Sequence, residues 1–262
     1  RRRGYEIVGT DDTLDRAYID LLKDFKQKLE TDVNEKTRRI QEINKDLMQS
    51  LDKIVEMHNN LILSMATMVE SRDSSTGGHI RRTSKGVEIL IEAIRETGAF
   101  DVNDSFCINL IKAAPMHDLG KIAVDDAILR KPGRFEPWEF EKMKEHAAQG
   151  ARIVHEILQA TDDDEFHVLA ENVAHYHHER WDGRGYPEGL VGTMIPLEAR
   201  IMAIADVYDA LVSKRVYKDP MSFEKSASIM CECMGTQFDR NLKSVFLGCR
   251  DKLEEYYSPG EQ

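Results

Sequence analysis

Histidines and carboxylates are the residues through which this chain can do chemistry, and His117 and Asp118 stand side by side. A neighbouring imidazole nitrogen and carboxylate can meet one divalent ion, and the second oxygen of Asp118 can reach another. Gly120 then opens a short turn, and Lys121 follows it, placed to aim an ammonium at whatever such ions hold. A solvent-facing lysine is the plainer reading of Lys121 taken alone. Further along, His175, His177 and His178 gather where a helix should end, a cluster that packing does not explain. Neutral imidazole is the commonest metal ligand. Asp206 stands among Ile204, Ala205 and Val207, where a buried carboxylate must be paired or bound to metal. Taken singly, His79 reads as a residue at a helix start and His146 as a helix-surface histidine.

Two further stretches suit an anionic, base-bearing ligand. The loop Trp181-Asp182-Gly183-Arg184-Gly185-Tyr186-Pro187 combines glycines, which let backbone come close, with aromatic rings. Tyr186 offers a face on which a base can stack, whereas Trp181 reads as an apolar plug holding the loop down. Lys214-Arg215-Val216-Tyr217-Lys218 is a local run of cations, and an arginine there can clamp two phosphate oxygens. A solvated surface run is the alternative.

Composition narrows the classes. The 262 residues are 41% hydrophobic and 32% charged with seven prolines, a helix-rich balance. A net charge of −11 argues against binding a nucleic-acid polymer, though not against a small anion in a cation-lined pocket. Cys107, Cys231, Cys233 and Cys249 are too few and too irregular for a disulfide frame, so reduced thiols in a cytoplasmic protein are expected. No apolar run is long enough to span a bilayer, so no membrane contact is expected of this fragment. Because it opens at Arg1-Arg2-Arg3-Gly4, the chain is expected to be a fragment, with a domain possible upstream.

These side chains have to be carried by helices. Leu22, Phe25, Leu29, Val33, Ile40, Ile43, Leu47, Leu51, Ile54, Met57, Leu61 and Met65 recur in steps of three and four without a proline, and Lys36 fills one slot. Consecutive steps of four at 25-29-33 and 43-47-51 loosen a strict heptad. Some fifty residues of helix would span about 75 Å, more than one small domain can cover, which favours a coiled-coil homodimer over a helix packed on its own domain. Further helices are expected from Gly78 to Gly98, Asn103 to Pro115, Pro137 onward, Glu165 to His175, Pro196 onward, Ser222 to Met234 and Asp239 to Tyr257.

Taken in order, His79, His117-Asp118-Leu119-Gly120-Lys121, His146, His177-His178-Glu-Arg-Trp-Asp-Gly-Arg-Gly-Tyr-Pro and Ala205-Asp206-Val207-Tyr208-Asp209 resemble the HD-GYP domain, a subgroup of the HD phosphohydrolase superfamily. The resemblance covers residues 65 to 257. It implies an all-α fold, an HD-domain helical bundle carrying a long N-terminal coiled-coil-like helix. The implied activity is metal-dependent hydrolysis of the bacterial second messenger cyclic di-GMP to linear pGpG, GMP or both. The alternatives are a weakly catalytic cyclic-di-GMP-binding module and hydrolysis of another cyclic dinucleotide. Carried over by position, the metal ligands are His79, His117, Asp118, His146, His177, His178 and Asp206, with Asp118 bridging. Lys121 and Asp118 are the catalytic pair, and Lys121, Tyr186, Arg215 and Lys218 contact substrate. Two divalent metals are implied, iron or manganese by preference. Some members hold a third through a glutamate four residues before the early histidine. That position is Ser75 here, with Asp73 and Glu70 nearby, so a third metal is not expected. Residues 1–64 are assigned to a signalling and dimerisation helix, 65–257 to the phosphodiesterase domain and 258–262 to a tail. An upstream sensor or receiver domain would supply the input.

Overall fold

A computed structural model describes residues 12–73, 78–159, 163–214 and 219–258. These are all helix, turn and loop. In place of strands there are only isolated bridges, Asp182 with Val191 and Met234 with Phe238. The chain forms two compact units, residues 1–58 and 59–262. No helix among the described residues is long and apolar enough to cross a membrane.

Helix α1 runs from Asp12 to Glu70 without interruption. Its apolar stripe, including Leu22, Phe25, Leu29, Ile40, Leu47, Ile54 and Met65, is exposed. In the second unit the end of α1 turns a different face inward, through Ile62, Ala66 and Val69, while Leu61 and Met65 stay exposed. The stripe read from the sequence and the face that docks on the core are therefore not the same.

The second unit is built on α2 (His79–Thr97), α3 (Asp104–Ala113), α4 (Asp126–Leu129), α5 (Pro137–Leu158), α6 (Asp164–Tyr176) and α7 (Leu197–Val212). Each starts and stops where local chemistry dictates. Asn103 accepts a hydrogen bond from Phe106 N–H at 2.7 Å to cap α3, and Asp163 does the same for α6 with Phe166. Pro137 occupies the first turn of α5 beside a capping box of Glu136 and Glu139. Gly98 ends α2 in the left-handed region at φ 61°, which costs a glycine little. Val87, Leu90 and Ile94 of α2, Leu110 of α3, Ala170 and Val173 of α6, and Ile201 and Met202 of α7 share one core. All four cysteines are free, with Cys107 and Cys249 buried.

The C-terminal region departs from the expectation. After α8 (Phe223–Glu232), the single helix expected over Asp239–Tyr257 is divided into a 3-10 turn at Arg240–Leu242, α9 (Lys243–Gly248) and α10 (Arg250–Tyr257). The break falls at Gly248, a poor helix former, and Cys249, whose φ of −106° leaves helical geometry. The change of direction seats Leu253 and Tyr257 on the core, where the Tyr257 hydroxyl donates to the Arg82 carbonyl at 3.3 Å.

Candidate metal centre

Six segments converge on one point. His79 is the first residue of α2. His117 closes a 3-10 turn, Ala114–Met116, that follows α3, and Asp118 opens the next, Leu119–Ala123. His146 lies in α5, His177 and His178 follow the last residue of α6, and Asp206 lies on α7. Gly120 lets the second turn press directly on α5. A Cβ there would stand 1.9 Å from the His146 carbonyl oxygen and 2.4 Å from the Gly150 nitrogen. This contact brings Asp118 and His146 together, so Gly120 does more than open a turn for Lys121.

Asp118 lies between two groups of imidazoles. Its Oδ1 is 3.5 Å from His146 Nε2 and 3.9 Å from His177 Nε2, and one ligand atom from each of Asp118, His146, His177 and His178 falls within a 4.8 Å cluster. Its Oδ2 is 3.3 Å from His117 Nε2 and 3.7 Å from His79 Nε2. Asp206 Oδ1 joins this second side, 3.5 Å from His79 Nε2.

The donor set fits divalent cations. The Nδ1 atoms of His117, His146 and His177 meet the carbonyl oxygens of Ala114 at 2.8 Å, Met143 at 2.6 Å and Ala174 at 3.0 Å. A carbonyl only accepts, so each Nδ1 carries the proton and each Nε2 presents a lone pair inward. Those three Nε2 atoms are buried and have no hydrogen-bond partner. An unsatisfied buried acceptor is costly, and three of them aimed at one carboxylate are accounted for by a cation.

Electrostatics divides the centre. Burial and the neighbouring His117 and His146 hold His177 down to about 3, and burial likewise depresses His146 and His178, so this side stays neutral and able to coordinate. On the other side burial opposes charge on His79, but hydrogen bonds to Asp118 and Asp209 and the Asp206 charge raise it to about 9. That pocket attracts positive charge. Burial would also raise Asp118, yet Lys121 and His117 keep its carboxyl well below the usual range.

Lys121 Nζ sits 2.9 Å from Asp118 Oδ2 and 3.0 Å from Asp73 Oδ2. Burial would lower its pKa, but these two carboxylates raise it, so the ammonium stays charged at neutral pH. The Tyr186 ring lies 4.8 Å from that of His178 and 6.3 Å from those of His146 and Phe140. Burial and the Asp118 charge raise its phenol, which remains a donor. His175, the third histidine of the cluster, is not brought to the centre and faces Glu188 at 3.1 Å. Ser75, Arg215 and Lys218 lie outside the described residues, as do residues 1–11 and 259–262.

Residues 49–242 match the model of one family, the HD domain, and that span contains every histidine and aspartate of the centre described above. The chain belongs to the HD domain family. A Vibrio cholerae protein named probable cyclic di-GMP phosphodiesterase is 38% identical over 205 residues, 77% of this chain and 46% of that protein. Another from Vibrio cholerae, named 3'3'-cGAMP-specific phosphodiesterase 2, is 35% identical over 73% of this chain and 35% of its own length. The chain thus spans less than half of these curated relatives. The crystal structure of a cyclic GMP-AMP specific phosphodiesterase of Vibrio cholerae shares the fold, with a TM-score of 0.54 and 17% identity, over 78% of this chain and 51% of that one. Divalent-metal binding is the common property of the HD domain, and these clusters of histidine and aspartate could hold it.

Three supporting residues went unassigned in the sequence reading. Asp209, one turn beyond Asp206, is buried and meets His79 Nδ1 at 2.7 Å while accepting from Arg82 Nε at 2.6 Å. It orients the His79 ring, the usual task of a carboxylate behind a metal-binding imidazole. Asp73 shares Lys121 with Asp118. Glu179 is buried and accepts from three successive backbone N–H groups, those of Glu188 at 2.7 Å, Gly189 at 3.0 Å and Leu190 at 3.0 Å, which ties down the far end of the Tyr186 loop. The loop's Gly185 serves its own backbone, because a Cβ there would lie 2.3 Å from the Arg180 nitrogen.

Proposed function

We propose that this chain is a metal-dependent phosphodiesterase that hydrolyses cyclic di-GMP with linear pGpG, rather than GMP, as the main product. The observation that carries the reading is the position of Asp118, one oxygen toward His146 and His177 and the other toward His117 and His79. In this reading His146, His177 and His178 would hold one ion, His79, His117 and Asp206 would hold a second, and Asp118 would serve both. Imidazole-rich, carboxylate-bridged ligation suits iron or manganese. Divalent ions held there would supply Lewis acidity toward the phosphoryl oxygens and lower the pKa of a bound water. Lys121 adds fixed positive charge where the phosphoryl group gathers negative charge. Tyr186 keeps its proton and stands beside His178 as a donor to substrate, and Arg215 and Lys218 are assigned to substrate phosphates.

The dimerising part is residues 1–64 and the catalytic part residues 65–257. An exposed heptad-like stripe on α1, separate from the face that docks on the core, supports pairing with a second copy of the chain. A sensor or receiver domain upstream would act through that helix.

Replacing His117 and Asp118 together by alanine should abolish both the ions of this centre and turnover of cyclic di-GMP. Wild-type turnover by the double variant would remove the assignment. A second substrate, 3'3'-cGAMP, is favoured by the relatives named for it. Chromatography of products from both dinucleotides under equal conditions separates the two, and preferential cleavage of 3'3'-cGAMP would replace the first reading.

A further inference from the structure

A second cluster of metal-binding side chains lies away from this centre, on the surface seam between α5 and α6. His155 projects from α5, and His167 and Glu171 project from one face of α6, four residues apart. His155 Nδ1 lies 2.6 Å and His167 Nε2 2.7 Å from the same Glu171 oxygen, Oε1. The two ring nitrogens are 3.2 Å apart. A spacing near 3.2 Å is what two nitrogens adopt on a tetrahedral ion held at ~2.0 Å. The two edges to Glu171 Oε1, 2.6 and 2.7 Å, are hydrogen-bond distances, so an ion would displace those protons and spread the three atoms into one face of its coordination shell, the rest of which opens to water since His155 is exposed.

From this arrangement we infer a separate site for a borderline divalent transition ion of the zinc class, held by His155, His167 and Glu171. Two imidazoles and one carboxylate select zinc, cobalt, nickel or copper over calcium and magnesium, which prefer all-oxygen shells. The ion would join α5 to α6. These are the helices that carry His146 and lead into His177-His178, so binding would brace the imidazole-rich side of the main centre from outside. The inference does not depend on which substrate the main centre takes.

Equilibrium dialysis of the purified, metal-loaded protein against zinc tests it, with ions counted per chain. Wild type should bind one ion more than His155→Ala and one more than Glu171→Gln. The His117→Ala/Asp118→Ala double variant should keep that ion while losing those of the main centre. Zinc should also raise the Tm of wild type above that of His155→Ala, an exposed substitution that leaves the fold intact. Cobalt in place of zinc should give visible d–d absorption that disappears in His155→Ala. Equal ion counts in wild type, His155→Ala and Glu171→Gln would overturn the proposal, as would loss of the extra ion in the His117/Asp118 variant.

Discussion

Gly120→Ala adds one methyl group at the contact that holds the Asp118 turn against α5. Its Cβ would stand 1.9 Å from the His146 carbonyl oxygen, about 1.5 Å inside an ordinary contact of 3.4 Å, and 2.4 Å from the Gly150 nitrogen. Both obstacles are backbone, so no side-chain rotation relieves them, and turn and helix must separate. Asp118 lies on one side of that seam and His146 on the other, now 3.5 Å apart at their ligand atoms. Metal sites hold ligand distances to within about 0.2 Å, so an opening of even ~1 Å removes His146 from a shared ion. Overpacking a core costs roughly 1–3 kcal/mol, and a double backbone clash belongs at the upper end, about 3 kcal/mol. For a unit of this size each kcal/mol lowers Tm by ~2–4 °C, giving a fall of about 6–12 °C. Metal analysis and thermal melts of the purified variant provide both readouts. Wild-type metal content together with an unchanged Tm would refute the packing argument.

Asp209→Asn keeps the shape but not the charge behind His79, and second-layer substitutions of this kind cost ~10–100-fold in metal affinity. The loss should fall on the ion at His79 and His117, so a titration resolving two affinities should show only one weakened. Lys121→Met should lower kcat by roughly 10²–10³, as removing a transition-state charge partner does, with metal content unchanged. Equal kcat in the two proteins would show that the ammonium plays no part. In the metal-free protein, His177 titrates near 3 when folded and near 6.5 when unfolded, so the unfolded chain binds more protons in that window and stability falls as pH drops through it. His79 has the opposite sign. Its folded value of about 9 lies above 6.5, so its contribution is complete below 6.5 and is lost as pH rises through 9. Melts of the metal-free protein should therefore give a domed profile centred between these windows, and a flat profile would contradict both assignments.

Much of this organisation is legible in the sequence, because the physics behind it is local. The period of three and four on α1 and the caps Asn103, Asp163 and Gly98 set helices whose ends follow from a few residues. The ligand types announce themselves because histidine and aspartate are rare in apolar surroundings unless bound. What stays hidden depends on distant partners. Asp209 looks like any polar residue on a helix until His79 and Arg82, some 130 residues earlier, are folded onto it. Glu179 answers only to backbone N–H groups, which have no sequence signature. Gly120 reads as a turn former, while its necessity lies in the approach of α5. The bend at Cys249 follows from where Leu253 and Tyr257 find the core, so helical periodicity alone runs through it.

The central claim is that Asp118 is shared by two ion-binding groups. Metal content per chain, measured on wild type and on His146→Ala, His79→Ala and Asp118→Ala, tests it most directly. Beyond the ion proposed at the α5–α6 seam, two ions are expected in wild type, one in each histidine variant and none in Asp118→Ala. Retention of both ions by Asp118→Ala would contradict the account.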